Sequence, residues 1–388
     1  MQSSCGRIRR RATPTCLPDA PLRVLTYLHS FEPGGLERDV LRFNRAWRDL
    51  GIDVQIVLGR NEGALADEAP ELPYTVLQAG RVSTASIESL WMSWHLPRIV
   101  RTMRPDVVVC AGNSYSIVAV ALRLALGRNC PPIVHRVSND LVRRDLPTPM
   151  RLANRIWQHL QAPVFAVIVG MAEPARAEII EHMGAAPARV VAINNASLTE
   201  ADIDRLAQMR SDVSRGSSGR HYLAVGRLAA QKNFDLLLTA FSRIARPEDS
   251  LTIVGEGPLR ADLERRAEAL GIAQQLSMPG HQSSVEPWFA RADALILSSD
   301  YEGLGIVVIE ALAAGLPVVA TDCGPNMAML VEGVGRLVPP RDPAALAEAM
   351  AAVIDDPVDV GAMRARAQQF TVEANAGTWI DLFASLAR

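Results

Sequence analysis

Short apolar runs recur along the chain, separated by longer stretches in which apolar residues return every three or four positions. The runs at 22–28, 54–58, 74–77, 107–110, 133–137, 164–169 and 190–193 are unbroken rather than alternating, as expected of strands buried on both faces. Stretches such as 36–50 and 86–103 between them carry helical periodicity. This alternation predicts an α/β domain with a parallel sheet covered by helices on both sides. Around 199–219 the pattern breaks into a polar helix and then Ser214-Arg215-Gly216-Ser217-Ser218-Gly219, a linker composition. A second alternating series follows, with runs at 222–225, 251–254, 276–278, 295–297, 318–320 and 335–338. The expected organisation is a solvated tail over 1–20, one domain over 21–198, a linker over 199–219, a second domain over 220–369 and a last helical stretch over 370–388. Two doubly wound, Rossmann-like parallel-sheet domains facing a cleft are the fold class this predicts, with ligand at the carboxyl ends of the strands.

Composition adds few constraints. The longest apolar stretch, 107–127, has Gly112-Asn113-Ser114-Tyr115-Ser116 at its middle, so it reads as strand, turn and helix rather than a membrane span. The first 20 residues carry arginines but no apolar core, unlike a secretory signal. Cys5, Cys16, Cys110, Cys130 and Cys323 show no paired spacing and read as reduced thiols of a cytoplasmic protein. Charge is uneven: 23 arginines against 18 acids in 1–200, and 17 basic against 24 acidic residues in 201–388. Arg98, Arg101 and Arg104 recur at helical spacing, on a stretch that also holds Trp91, Trp94 and Leu96. An anionic membrane surface is therefore a candidate partner of the first domain.

The chemistry concentrates in the second domain. The chain has a single lysine, Lys232, within Gly226-Arg227-Leu228-Ala229-Ala230-Gln231-Lys232-Asn233. Every other basic side chain is arginine, a planar fork that does not replace a compact ammonium at a close phosphate contact. Seventy residues on, a buried run ends in Ser298-Ser299-Asp300-Tyr301-Glu302-Gly303-Leu304-Gly305 and leads into a predicted helix over 306–314, stopped by Gly315 and Pro317. Glu302 then lies in the loop and Glu310 about one turn into the helix. The glycines let backbone approach a ligand, and the helix start offers free N–H groups to an anion.

With Gly255-Glu256-Gly257-Pro258, these motifs resemble the retaining glycosyltransferases of the GT-B fold known as glycosyltransferase group 1, or family 4. The resemblance is strongest over 220–340. It implies a nucleotide-diphosphate sugar as donor and no metal or other cofactor. Arg227 and Lys232 would be the catalytic cations holding the diphosphate, with Glu302 beside the donor sugar. Glu310 would accept hydrogen bonds from the ribose. Gly226 and the backbone of Gly303, Leu304 and Gly305 would meet phosphate or sugar oxygens, and Pro279, Gly280 and His281 would line the nucleobase pocket. In the first domain, Gly34 and Gly35 would form the loop that meets diphosphate and acceptor, and the last helix would cross back onto that domain.

The chain departs from the family twice. A histidine common after the fifth strand is replaced by Ser138 and Asn139, while His135 falls within the strand run. Ala328 stands near where relatives carry a glutamate. Asp202 and Asp204 match a metal-binding Asp-x-Asp, but they sit in the polar inter-domain helix and read as surface carboxylates. The rival readings are a nucleotide-sugar epimerase of the same fold and a non-enzymatic sugar-binding protein; a dinucleotide-binding dehydrogenase lacks its third glycine. The expected acceptor is a glycan or a lipid-linked glycan, and nucleic acid is not an expected partner.

Overall fold

The structure is a computed structural model and describes residues 21–32, 35–63, 65, 71–77, 87–138, 141, 147–212, 219–356 and 358–387. It contains two wholly parallel sheets. The first has seven strands: β1 (Arg23–Leu28), β2 (Asp53–Leu58), β3 (Tyr74–Val76), β4 (Val107–Ala111), β5 (Ile133–Arg136), β6 (Val167–Gly170) and β7 (Val190–Ala192), in the order β3-β2-β1-β4-β5-β6-β7. The second has six: β8 (His221–Val225), β9 (Ser250–Val254), β10 (Leu276–Gly280), β11 (Ala294–Leu297), β12 (Val318–Thr321) and β13 (Arg336–Val338), in the order β10-β9-β8-β11-β12-β13. The fold class is the predicted one. Each apolar run became a strand because helices cover both faces of each sheet and leave no polar side for alternation to record.

Each sheet reverses strand order once, at β1/β4 and at β8/β11. Chain leaving neighbouring strands there diverges to opposite faces and opens a crevice at their carboxyl ends. Helix α1 (Gly35–Asp49) follows β1 and buries Val40, Leu41, Phe43 and Trp47 against the first sheet. The other face of that sheet carries α2 (Glu88–Met103), α3 (Ser116–Leu126), α4 (Thr148–Gln161) and α5 (Glu173–Met183). Residues 107–126 form strand, turn and helix, and among the described residues no helix is long and apolar enough to cross a membrane.

The segment expected as a linker starts with a helix of the second half. α6 (Glu200–Asp212) buries Ile203 and Leu206 beside α10 (Ile306–Ala314), and Arg210 donates to the carbonyls of Phe289 and Ala292 at 2.9 and 2.7 Å. The composition reads as polar because only two apolar side chains of this helix are buried, the third buried residue being Arg210. The chain passes between the halves twice, side by side. Leu198 pairs with Thr371, the Val372 amide donates to the Leu198 carbonyl at 2.9 Å, and the Leu198 amide donates to the Phe370 carbonyl. The last helix, α14 (Val372–Leu386), then lies on α1 and packs Trp379 and Phe383 edge-on or tilted against Phe43 and Trp47.

Candidate functional site

The second switch point assembles the lysine and glutamate motifs. β8 leads into Gly226, whose φ of 159° and missing Cβ let the lysine side chain lie over it; a Cβ there would meet Lys232 Cε at 2.9 Å. A short 3₁₀ turn over Ala230–Lys232 ends at Asn233 in the left-handed region, and Asn233 caps α7 (Phe234–Ile244). Its amide also donates to Asp300 at 2.9 Å, and the Gln231 amide donates to the Tyr301 carbonyl at 2.9 Å. These bonds fasten the lysine loop to the loop after β11. Ser298 donates to the Lys232 carbonyl at 2.8 Å, and Thr321 donates to the Ser299 carbonyl at 2.5 Å. Lys232 Nζ lies 2.5 Å from Glu302 Oε1, which also accepts from Ser299 Oγ at 2.6 Å. The carboxylate thus aims the ammonium, and the pair is largely enclosed, with side-chain exposures of 18% and 10%.

Glu302 is followed by the glycine loop. Gly303 O accepts from Asn326 Nδ2 at 2.7 Å, Leu304 anchors the loop in the core, and Gly305 at φ 76° starts α10. The start of α10 faces the start of α1: a Cβ on Gly35 would come within 2.6 Å of Ile306 Cδ1. Two helix N-termini, one from each half, therefore converge on the cleft beside the Lys232–Glu302 pair.

Glu310, one turn along α10, lines a cleft of about 860 Å³ with Gly35, Arg38 and Arg42 of α1, Gly226, Arg227 and His281. Burial pushes its carboxyl up to about 7, against the pull of Arg42 and Arg38. Arg227 and His281 are exposed at this cleft. A second cavity of about 460 Å³ lies on the other side of the Gly303 loop, lined by Tyr301, Glu302, Gly303, Cys323 and Asn326 and by Met171 and α5 across the interface.

The predicted residues thus fall into three groups. Gly35, Gly226, Arg227, His281 and Glu310 share the larger cleft; Glu302 and Gly303 line the smaller cavity; Lys232 lies between the two. Pro279 and Gly280 end β10 and stand behind His281, and the Gly280 carbonyl accepts from the Gly255 amide at 3.0 Å. Ser138 lies across the interface from Gly303, its carbonyl 3.6 Å from where a Gly303 Cβ would be. Gly34 and Asn139 lie outside the described residues. His135 is a core histidine stacked on Phe165, with burial bringing its imidazole down to about 4.

Sequence reasoning missed three features. Asp202 is not a plain surface carboxylate: it accepts from the Thr199 amide at 2.9 Å while Thr199 Oγ1 accepts from the Asp202 amide at 3.0 Å, a reciprocal cap that starts α6 at the cleft wall. Burial alone would raise its carboxyl, but hydrogen bonds from Thr199 and Arg205 hold it below the usual range. Arg38 and Arg42, at helical spacing after Gly35, bring cations from the first half; their four-residue interval was the readable signal. Finally, buried Glu88 accepts from His29, Arg60 and Tyr115 at the ends of the first sheet. Burial raises this carboxyl, and the hydrogen bonds more than offset that and leave it lowered.

The family model for glycosyl transferases group 1 matches residues 208–371, and that for glycosyltransferase family 4 matches residues 33–197. The chain belongs to the group 1, or family 4, glycosyltransferases. Among relatives, D-inositol 3-phosphate glycosyltransferase 2 of Catenulispora acidiphila is 28% identical over 360 residues, covering 84% of this chain and 83% of that protein. Lipopolysaccharide core biosynthesis glycosyltransferase LpsD of Rhizobium meliloti is 28% identical over 180 residues, 45% of this chain and 52% of LpsD. The solved structure of Anabaena HepE in complex with UDP and glucose superposes with a TM-score of 0.72 at 20% identity, covering 94% of this chain and 99% of HepE. The fold of this glycosyltransferase is therefore GT-B, and the cleft just described is the space between its two sheets.

Proposed function

We propose that this glycosyltransferase moves a sugar, with retention at the anomeric carbon, from a nucleotide-diphosphate donor to a glycan or lipid-linked glycan acceptor in envelope polysaccharide, lipopolysaccharide or glycolipid synthesis. The observation that carries this reading is the meeting of Lys232, Glu302 and two helix N-termini beside the cleft that holds Arg227 and Glu310. A departing diphosphate gains negative charge as the glycosidic bond breaks, and fixed donors aimed at that charge lower the barrier. Arg227, Lys232 and the amides of α1 and α10 supply them. Glu310 would accept from the ribose, and His281 would flank the base. The sugar then lies beside Glu302, and its anomeric carbon develops oxocarbenium character. The acceptor enters on the face the diphosphate leaves, and the donor phosphate takes its proton. HepE binding UDP supports a nucleotide donor, and LpsD supports a role in surface-glycan assembly.

No metal enters this reaction, because Arg227 and Lys232 provide the positive charge a metal would bring. Asp202 is committed to Thr199 and Arg205 rather than open to a cation. The test is a screen of nucleotide-sugars with purified protein, reading nucleotide diphosphate release with and without chelator and the product anomer by NMR. Release unaffected by chelator, with a retained anomer, is the expected result. A strict Mg²⁺ or Mn²⁺ requirement or an inverted product would overturn it.

A further inference from the structure

Three neighbouring helices on the outer face of the first sheet turn apolar side chains to solvent. Ile87, at the N-cap of α2, and Leu90 and Trp94 on the helix are exposed, and Arg98 and Arg101 continue the same stripe. Trp91 and Leu96 do not belong to it. The Trp91 indole is half-buried and donates to the Leu77 carbonyl, and Leu96 is in the core. On α3, Ile117 and Leu124 are exposed a heptad apart, beside Arg123. α4 has its amphipathic sense reversed. Leu152, Ile156 and Leu160, on one stripe, point outward with Met150 nearby, while Gln158 and Gln161 are buried and Asn154 and Gln158 donate inward to the Leu141 carbonyl. α3 touches both α2 and α4, so the stripes adjoin.

This is not scattered surface hydrophobicity. Trp94 is 82% exposed and Leu124 80%, on helices whose inner faces already fill the core, and Leu160 is 69% exposed on a helix whose inner face is amides. A helix that buries glutamines and exposes leucines is folded for a second apolar medium. The charge around the patch says which one. α2, α3 and α4 together contain one acidic residue, Glu88, and it is buried. Their basic side chains, Arg98, Arg101, Arg123, Arg151 and Arg155, stand at the rim or between the apolar positions. Apolar ridges with arginines and an exposed tryptophan, free of surface carboxylates, match the boundary of an anionic bilayer, where acyl chains take the leucines and headgroups take the guanidinia.

We propose that the outward face of α2, α3 and α4 docks this protein on an anionic lipid bilayer, with Leu90, Trp94, Leu124, Leu152, Ile156 and Leu160 entering the acyl boundary. The inference stands apart from the donor and acceptor reading, since none of these residues lies in the cleft. α4 packs on α5, whose residues line the smaller cavity, so docking on this face sets that cavity beside the bilayer.

The test is co-sedimentation of the full chain with phosphatidylcholine vesicles, with and without phosphatidylglycerol, at low and high salt. Binding should require the anionic lipid and weaken with salt. Leu152→Glu/Ile156→Glu should abolish it, and Arg151→Gln/Arg155→Gln should weaken it about fivefold per arginine. Leu152, Arg155 and Ile156 are exposed and Arg151 is half-buried outside the core, so melting curves and donor turnover of both variants should match the parent. Trp94 emission should shift to the blue on binding, and Trp94→Tyr should remove the shift. Equal binding to neutral and anionic vesicles would overturn the proposal. So would a lack of binding at low salt, or a concentration-dependent dimer in free solution that the glutamate variant dissolves.

Discussion

The ammonium of Lys232 occupies a slot bounded by Glu302, Ser299 and the bare backbone of Gly226. Lys232→Ala should therefore lower kcat/KM by ~10²–10³-fold, the range for losing one preorganised charge at a transition state. Lys232→Arg should also be impaired, because a planar fork does not fit the space over Gly226; steady-state kinetics on both variants check this, and parent-like rates for the arginine variant would remove the point-charge argument. Glu310 carries a second prediction. Burial pushes its carboxyl up to about 7. A carboxylate accepts ribose hydroxyls and a carboxyl competes with them, so affinity for a nucleotide-sugar should rise about tenfold from pH 6 to pH 8. Calorimetry should show that slope in the parent and none in Glu310→Gln. Stability runs the other way. Because the folded value lies above the unfolded one, the folded chain holds the extra proton, and the contribution is whole below about pH 4.5 and lost as pH rises through 7. Glu310→Gln should thus melt higher than the parent at pH 8, by about 1–3 kcal/mol. At this scale the sequence displayed residues set by local chemistry, such as Lys232 and the glycines. It did not display Asp202 or Glu88, whose environments are made by partners far along the chain.

Elements were the most legible level. Strands filled the apolar runs and α10 ended where Gly315 and Pro317 stop it, since burial on two faces and left-handed glycine are both local signals. α6 was harder, because its two core residues are outnumbered by charge and its beginning is fixed by a cap rather than a pattern. Asp202→Ala should remove half of the Thr199–Asp202 reciprocal cap and cost about 1 kcal/mol. A drop in urea midpoint without loss of helix elsewhere, by circular dichroism, would show it; an unchanged midpoint would mean that packing on α10 alone holds α6. α4 marks where periodicity misleads. Its stripe of Leu152, Ile156 and Leu160 has core spacing, yet the core side of this helix is taken by amides bonded to the Leu141 carbonyl. Spacing reports that one face is apolar, and only the surrounding elements decide what that face meets.

For the whole molecule, alternation gave two sheets, but the partition between them depended on contacts no local pattern carries. α14 follows the second sheet in sequence and completes the core of the first, where Trp379 and Phe383 meet Phe43 and Trp47. Trp379→Ala should destabilise by about 3–5 kcal/mol, and the loss should appear in proteolytic protection of α1 before that of β8–β13. Protection lost first in the second half would contradict this. The second half is in effect an insertion between β7 and α14, entered at Leu198 and left at Thr371. That arrangement has a consequence for how the protein is made. A ribosome adds roughly 5–20 residues per second, so the first sheet waits on the order of 10–40 s after β7 for the helix that covers Trp47. During that interval a nascent chain presents an uncovered aromatic face, which is a binding site for a chaperone and a hazard for any message that stops early.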